Sequence, residues 1–319
     1  ICESFEEDET LEGFSGNLIT GIADIITMLS EGMTLKAGTI IATGTPKGVV
    51  QRAQAADCNM RYVERFVPAV EEAGEHQVHF NRTPYCFDMG LLNAYSAIPR
   101  GHTVFMLEED TEKSMSGIFQ AFAESGASLW FSTPTFLKMC LVDDSFTEEL
   151  LPNLRSVFMG GEVLHNSTVQ TFMERFPKAR IWNTYGPTET GVFVTDVEIT
   201  PEMAAADSPL PIGAAGPEVE IHIVDRETRE ELPFGEAGES CILGGQGGAG
   251  YYNEPEKTEA VFARRIDHAG VEQRAYYSGD EASMDEEGLI HFRDRFDTQV
   301  KVSGFRIELG EIEEALNAL

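Results

Sequence analysis

Asn183-Thr184-Tyr185-Gly186-Pro187-Thr188-Glu189-Thr190 is the segment that decides how this sequence folds. It follows an apolar run at 179–182 that predicts the end of a buried strand, and Gly186-Pro187 then predicts a turn. Small ligands usually bind where such a turn follows the carboxyl end of a strand in an α/β sheet. An aromatic ring, three threonine hydroxyls and a carboxylate suit a nucleotide base, phosphate oxygens and Mg²⁺. A plain strand and turn with a threonine N-cap would use the same residues, so the segment alone leaves both interpretations open.

Composition and charge are typical of a globular protein and exclude some classes of partner. The chain has 319 residues, 42% of them hydrophobic and 24% charged, which is enough for two or more domains. It carries 54 acidic and 23 basic residues, so its formal net charge is −31. Because this charge repels phosphates, we expect neither nucleic acid nor an anionic membrane surface as a partner.

The cysteines and the hydropathy pattern indicate a cytoplasmic protein. The five cysteines, at positions 2, 58, 86, 140 and 241, form no CxxC pair and no regular spacing, which favours a reducing compartment over a disulfide framework. No run of 18 apolar residues is present, so we expect no membrane span. The chain starts at Ile1 without a signal peptide and ends within a helical pattern, and we therefore expect a fragment.

Strand and helix patterns alternate as far as the opening segment. Their spacing predicts βαβ units, and hence an α/β fold with a parallel sheet and flanking helices. Beyond residue 194 strand patterns dominate, with a glycine hairpin turn at 285–288, so we expect a β-rich subdomain there. The predicted strands are 77–80, 103–107, 128–131, 155–159, 179–182, 219–224, 239–244, 275–278 and 289–293, and helices are predicted from about 88, 114, 134 and 166.

Two further strand ends carry candidate site residues. Asp88 lies at a strand-to-helix turn, where its carboxylate suits either a helix N-cap or a substrate ammonium group. Gly160-Gly161 lies at another strand end, where bare backbone lets a ligand approach closely, although a plain turn would look the same.

From about residue 43 to residue 319 the sequence resembles the acyl-adenylate-forming (AMP-binding) superfamily. It is most similar to the branch of amino-acid adenylation enzymes that ligates D-alanine to a carrier protein. The most specific string is 293–313, which follows the family pattern GR-x-D-x-QVK-x-x-G-x-RIELGEIE with Asp294 in place of glycine. The other matching strings, in order, are 84–88, 132–141, 151–153, 161–164, 174–181, 183–190 and 276–280.

This resemblance implies a site for ATP and Mg²⁺. Tyr185 would stack on adenine, and Asp280 would accept hydrogen bonds from both ribose hydroxyls. Thr188 and Glu189 would be catalytic residues that meet the phosphates and Mg²⁺, with Glu189 as the metal ligand. The full set that we assign to ATP is Thr45, Lys47, Asn183, Thr184, Tyr185, Asp280 and Arg295.

The resemblance also implies an acyl site and a hinge. Asp88 would hold the substrate amino group, beside Gly160 and Gly161, and Asp297 would be the hinge of a small lid domain. One departure concerns specificity. The D-alanine branch carries a cysteine where this chain has Gly160, and we expect the smaller residue to enlarge the acyl pocket.

Most of the first 50 residues resemble a different protein family. Residues 14–49 are similar to the carboxy-terminal part of the fumarylacetoacetate hydrolase family, whose metal ligands lie upstream of this stretch and are not in this sequence. The string 43–49 also resembles the end of the adenylating phosphate loop, where Lys47 would neutralise phosphate. We therefore predict a junction between two genes near this string. One continuous family with a divergent amino terminus is the alternative.

Together these features predict four segments and one activity. The segments are a hydrolase-like fragment at 1–48, an adenylation core at 49–194, the β-rich subdomain at 195–293, and the hinge with the start of a lid at 294–319. The activity is ATP-dependent adenylation of an amino acid, D-alanine in that branch, and transfer to a phosphopantetheinyl carrier protein for teichoic acid modification. Because the resemblance places a catalytic lysine beyond residue 319, we expect little turnover from this chain by itself. The competing interpretations are a metal-dependent hydrolase of the fumarylacetoacetate type and a non-catalytic remnant.

Overall fold

The computed structural model of the chain describes residues 40–41, 50–51, 77–85, 87–97, 101–107, 111, 114–297, 299–302, 305–308 and 316. The chain separates into two units, residues 1–39 and 40–319, and everything described below lies in the second. The phosphate-loop residues Thr45 and Lys47 and nearly all of the hydrolase-like stretch fall outside the described residues.

A seven-stranded sheet forms the larger part of the described fold. Its strands are β3 (Val78–Asn81), β4 (Thr103–Met106), β5 (Leu129–Ser132), β6 (Ser156–Met159), β7 (Arg180–Tyr185), β8 (Thr195–Glu198) and β9 (Ala214–Ala215), and a separate pair is formed by β1 (Ile40–Ile41) and β2 (Val50–Gln51). The strand order is β4-β3-β5-β6-β7-β8-β9; the first five strands in this order run parallel, β8 pairs antiparallel with β7, and β9 pairs antiparallel with β8. The carboxyl ends of β5, β6 and β7 therefore meet at one edge, where α/β sheets bind ligands.

Helices cover both faces of this sheet. The helices are α1 (Asp88–Ala97), α2 (Met115–Ser125), α3 (Pro134–Leu141), α4 (Asn166–Arg175) and the short α5 (Pro201–Ala205). On one face α2, α3 and α4 bury an aromatic cluster that includes Phe122, Trp130 and Phe172. On the other face α1 packs on residues that alternate with these along the strands, such as Leu129 and Phe131. Each fully buried aromatic side chain contributes about 1.5–3 kcal/mol, so this two-sided core holds the ligand-binding edge rigidly.

A second sheet of five antiparallel strands follows the first. Its strands are β10 (Val219–Val224), β11 (Gly238–Gly244), β12 (Phe262–Ile266), β13 (Glu272–Met284) and β14 (Ile290–Arg295). The strand order is β10-β11-β13-β12, and β14 pairs with the later part of β13. Helix α6 (Pro255–Val261) precedes β12, and β15 (Gln299–Val302) pairs with β16 (Phe305–Glu308).

The predicted fold class is confirmed, with corrections in detail. Every predicted strand and helix between residues 77 and 294 is present within a few residues of its expected position. However, β8 and β9 were not predicted, and they extend the first sheet to residue 215. The predicted boundary between residues 194 and 195 therefore falls inside that sheet. Strand β13 has 13 residues, where the sequence predicted four.

Candidate active site

A cavity of about 830 Å³ lies at the carboxyl ends of β6 and β7, against β13 and β14. Its volume falls within the usual range for small-molecule sites. Seven of the predicted site residues line it: Gly161, Asn183, Thr184, Tyr185, Asp280, Arg295 and Asp297. The rest of its wall includes Thr135, Glu162, Val163, Leu164, His165, Gly186, Pro209, Leu210, Ile212, Phe292, Asp294 and Gln299.

The end of β7 is anchored by two polar side chains. Asn183 Nδ2 donates to the Pro211 carbonyl at 2.7 Å, and Thr184 Oγ1 donates to the Met159 carbonyl at 2.8 Å. Both side chains are buried. Asn183 and Thr184, which we predicted as ATP ligands, therefore hold the wall of the cavity through these hydrogen bonds and place Tyr185 at its edge.

Asp280 links the two sheets at the cavity. It lies on β13 directly opposite Arg295 on β14, and Arg295 Nη1 donates to its Oδ1 at 2.5 Å. Tyr185, at the end of β7, donates its hydroxyl to the other oxygen, Oδ2, also at 2.5 Å. Asp280 is only 5% exposed, so this carboxylate is held by one neutral and one cationic donor inside the fold.

Arg295 joins Asp280 to the predicted hinge. Its Nε donates to Asp297 Oδ1 at 2.7 Å and its Nη2 to Asp297 Oδ2 at 2.6 Å, which is the two-pronged geometry that guanidinium and carboxylate groups favour. Asp297 is exposed, whereas Arg295 is half-buried. The predicted nucleotide contact and the predicted hinge are therefore coupled by one guanidinium group.

Burial and neighbouring charges shift two pKa values in this network. Burial, then the charge of Asp280 and the hydrogen bond to it, raise the pKa of Tyr185 well above its usual value. For Arg295, burial lowers the pKa, but the hydrogen bonds and charges of Asp297 and Asp280 outweigh it and raise the pKa. At neutral pH Tyr185 is therefore a neutral donor and Arg295 a permanent cation.

Asp88, the predicted partner of the substrate ammonium group, does not line the cavity. It is the first residue of α1, and its Oδ1 accepts from the Met89 backbone N–H at 2.7 Å. Its Oδ2 accepts a hydrogen bond of 2.6 Å from the hydroxyl of Thr188. The carboxylate thus lies in the first turn of the helix and contacts the predicted catalytic turn, and its role as the partner of a substrate ammonium group stays a prediction.

Glu189, the predicted metal ligand, is held through both its side chain and its backbone. Its side chain is fully buried, and its Oε1 accepts from the Tyr251 hydroxyl at 2.7 Å. Its backbone carbonyl accepts from the Gly248 N–H at 2.7 Å, which fastens the glycine-rich loop after β11 to the turn. Neither Thr188 nor Glu189 lines the cavity.

Gly160 contradicts the prediction of an enlarged acyl pocket. A Cβ atom at this position would lie 2.5 Å from Cε1 of Phe193 and 2.7 Å from Oγ1 of Thr184. Phe193 is 3% exposed and packs with Phe131 and Phe158. The expectation was wrong because a ring from elsewhere in the chain fills the space that a side chain would occupy. The next residue, Gly161, has φ of +84°, which favours glycine, and it presents bare backbone to the cavity.

Sequence reasoning missed a residue that positions Asp280. Glu239 is 5% exposed, and its Oε1 accepts from the Gly279 N–H at 3.0 Å. Its Oε2 pairs closely with Arg229 Nη1. The signal was present in the alternation of Glu239, Cys241 and Leu243 along β11, which places a carboxylate among inward-facing apolar residues.

Comparison with known proteins decides the family. The family model described as "AMP-binding enzyme" matches residues 42–252, which is more than half of the chain. This chain belongs to the AMP-binding enzyme family. The match begins where the sequence analysis placed the start of the resemblance, at about residue 43. The comparisons give no support for the hydrolase-like segment at 14–49 or for a chimera.

Relatives in this family are named as ligases. The chain is 38% identical over 275 residues to a D-alanine--D-alanyl carrier protein ligase of Listeria innocua serovar 6a, covering 86% of this chain and 52% of that protein. It is 39% identical over 272 residues to the enzyme of that name from Bacillus velezensis, covering 85% of this chain and 52% of the relative. The chain therefore spans about half the length of these relatives.

Solved adenylation domains share the fold. The Vibrio cholerae adenylation domain AlmE, in complex with glycyl-adenosine-5′-phosphate, superimposes with a TM-score of 0.74 at 25% identity. The match covers 87% of this chain and 50% of that one.

The pKa of Tyr185 provides a test of the network around Asp280. Because the folded-state pKa is raised, this residue contributes stability that is lost as the pH rises above about 10 towards the folded-state value. The ultraviolet absorbance of tyrosinate measures how many tyrosines ionise only when the chain unfolds. We expect that number to be one lower in Tyr185→Phe than in the original chain. The variant should also lose stability less steeply above pH 10. If Tyr185→Phe instead removes a tyrosine that ionises at its ordinary pKa while the chain is still folded, the result would contradict the described network.

Proposed function

We propose that this chain carries the nucleotide and acyl sites of an enzyme that activates a small amino acid, D-alanine, with ATP. The activated amino acid then passes to the thiol of a phosphopantetheinyl carrier protein. The observation that carries the proposal is the placement of Asp280, whose carboxylate faces a nucleotide-sized cavity between Tyr185 and Arg295. The names of the two ligases support the choice of D-alanine and of a carrier protein.

The cavity suits an adenosine monophosphate moiety. The ring of Tyr185 offers a flat surface to the base. A carboxylate has about four lone-pair directions, so Asp280 can accept from both ribose hydroxyls as well as from its present donors. Gly161 allows close approach along the backbone, and Arg295 supplies a fixed positive charge. Thr45 and Lys47 keep their proposed role at the phosphates.

The first proposed step is attack of the amino-acid carboxylate on the α-phosphorus of ATP. A carboxylate oxygen bonds to that phosphorus, the bond to the pyrophosphate oxygen breaks, and pyrophosphate leaves with the electron pair. In the second step the carrier thiolate attacks the acyl carbon, and AMP leaves. The protein's contribution is positioning and charge stabilisation. Asp88 would orient the substrate ammonium group, and the Thr188 hydroxyl, which now donates to Asp88, would meet the phosphates.

Glu189 keeps its proposed role as the Mg²⁺ ligand. A carboxylate oxygen is the donor that Mg²⁺ prefers, and the Tyr251 hydroxyl holds the Oε1 atom of this buried side chain, so binding of the ion would require the carboxylate to turn towards the phosphates. When bound, the ion would neutralise charge on the phosphates and on the departing pyrophosphate. The hinge role of Asp297 is part of the same proposal, with Arg295 linking it to the ribose site.

The acyl pocket should be small. Phe193 fills the volume beside Gly160, so the side chain of the substrate meets a ring there.

The rest of the proposal follows the resemblance: a cytoplasmic reaction, and use of the loaded carrier in teichoic acid modification. Burial raises the pKa of the Cys140 and Cys241 thiols to about 12 each, so both stay protonated at neutral pH. The hydrolase-like interpretation of residues 14–49 stays a prediction. In the described part of the chain, no helix is long and apolar enough to cross a membrane.

Removing the charge of Asp280 tests the nucleotide site. We expect Asp280→Asn to weaken AMP binding about 10- to 150-fold, the equivalent of roughly 1.5–3 kcal/mol for charged hydrogen bonds, measured by calorimetry. Asp144→Asn is the matched control, because Asp144 is fully exposed and pairs with Arg175, and neither residue lines the cavity. A folded Asp280→Asn chain that binds AMP as tightly as the control would refute the assignment.

Truncating Phe193 tests the acyl pocket. The probes are acylsulfamoyl adenosines, which mimic the adenylate without reacting, carrying D-alanyl, L-alanyl or D-leucyl groups. We expect the chain to prefer the D-alanyl mimic, and Phe193→Ala to improve binding of the D-leucyl mimic by about 10- to 200-fold. Phe234→Ala is the control, since Phe234 is 64% exposed. An unchanged ratio between mimics in Phe193→Ala would contradict this pocket while leaving the nucleotide site intact.

A further inference from the structure

A second group of ionisable side chains lies on the five-stranded sheet, and none of its members lines the cavity. Glu220 and His222 are two residues apart on β10, so they project from the same face of the strand. His268 lies in the turn between β12 and β13. His222 is 2% exposed, whereas His268 is 65% exposed, so the group reaches from the interior of the sheet to solvent.

The two histidine side chains contact the same carboxylate oxygen of Glu220. Glu220 Oε1 contacts His222 Nε2 closely and lies 3.0 Å from His268 Nδ1. The backbone N–H of His268 also donates to this oxygen, at 2.9 Å, which fixes the turn over the strand. The two imidazole rings stack with their centroids 4.5 Å apart. Three possible metal donors, one from each residue, all lie within 4.8 Å of one another.

A second carboxylate occupies the opposite side of the two rings. Glu231 Oε2 lies 3.2 Å from His268 Nε2 and 3.6 Å from His222 Nδ1. In metal sites the imidazole nitrogen that does not bind the ion usually donates to such a carboxylate, which fixes the tautomer. At present Arg265 Nε donates to His222 Nδ1 at 3.1 Å, so Nδ1 carries no proton. If an ion binds His222 Nε2, Nδ1 must instead carry the proton and donate it to Glu231.

We propose that Glu220, His222 and His268 form a binding site for a divalent transition-metal ion of the zinc class, with Glu231 as the carboxylate that orients both rings. Two imidazole nitrogens and one carboxylate oxygen are the donor set that Zn²⁺, Co²⁺ and Ni²⁺ take, in contrast to the all-oxygen sets of Mg²⁺ and Ca²⁺. The site is separate from the nucleotide site and does not depend on the proposed function.

The donor spacing and charge suit such an ion once the exposed His268 ring turns out of its stack with His222, because an imidazole binds a metal in its own ring plane. Zinc–ligand distances of about 2.0–2.1 Å place tetrahedral donors roughly 3.3 Å apart. The observed 3.0 Å between Glu220 and His268 is close to this value, and the closer Glu220–His222 contact would open slightly. The carboxylates of Glu220 and Glu231 balance the two positive charges. Exposed His268 leaves a path for entry and a fourth position for water.

Binding of Zn²⁺ to the chelator-treated 319-residue chain, without nucleotide, tests the proposal. Calorimetry with ZnCl₂ measures stoichiometry and affinity, and visible absorption of Co²⁺ reports nitrogen ligation. The variants are His268→Ala and Glu220→Gln. The matched control is His291→Ala, because His291 also forms a surface pair with a carboxylate, Asp285, at 2.9 Å in the same sheet.

We expect the chain and His291→Ala to bind an equivalent of Zn²⁺ that His268→Ala and Glu220→Gln bind at least tenfold more weakly. Excess Mg²⁺ should not compete. Thermal melting of the metal-free variants shows that they are folded, and Glu220→Gln provides the answer if His268→Ala is unstable. Equal binding by His268→Ala, Glu220→Gln and the control would place the ion elsewhere, for instance on cysteines. No binding by the chain would mean that the group is only an ion-pair cluster. Either result would overturn the proposal.

Discussion

The sharing of Asp280 between Tyr185 and Arg295 is the interaction on which the candidate site depends. Tyr185 ends the last parallel strand of the first sheet, and Arg295 ends β14 of the second. A buried carboxylate is costly unless it is paired and hydrogen-bonded, and here each oxygen has a partner from a different sheet. The pairing therefore sets the distance between the sheets at the point where the cavity opens.

The same interaction connects the parts of the proposed mechanism. Glu239 and Gly279 hold the β13 backbone beneath Asp280, and Arg295 carries the network on to Asp297. A movement of Asp297, the proposed hinge, would therefore displace the Arg295 guanidinium group and with it the Asp280 carboxylate at the proposed ribose site. The proposed acyl side is built separately, from α1 and the strand end at Gly160, and the hydrogen bond between Thr188 and Asp88 connects it to the turn that follows Tyr185.

The sequence predicted the parallel sheet and seven residues of the cavity wall because those features are local. Apolar runs ending in Gly-Pro or Gly-Gly mark strand ends, and parallel strands bring such ends together. Strand β8 was missed because its four residues include Asp196 and Glu198, which weaken the apolar signal. Strand β13 was underestimated for a similar reason, since charged residues such as Glu272 and Arg274 occupy its first half.

Contacts between distant parts of the chain could not be predicted in this way. Nothing in the sequence near Gly160 indicates that Phe193 fills the vacant space, because the two positions meet only after β6 and β7 pair and the chain turns back. Likewise, the pattern around Asp88 and Glu189 identified suitable carboxylates but not their partners, Thr188 and Tyr251. Residue types at strand ends are thus readable from sequence, whereas the volumes between them depend on the assembled fold.

A crystal structure of the chain with AMP is the most direct test of the claim that Asp280 organises a nucleotide site. The account predicts adenine against the ring of Tyr185 and both ribose hydroxyls within hydrogen-bonding distance of the Asp280 carboxylate. Nucleotide bound away from this cavity, or crystals grown in saturating AMP whose cavity contains no nucleotide, would contradict it.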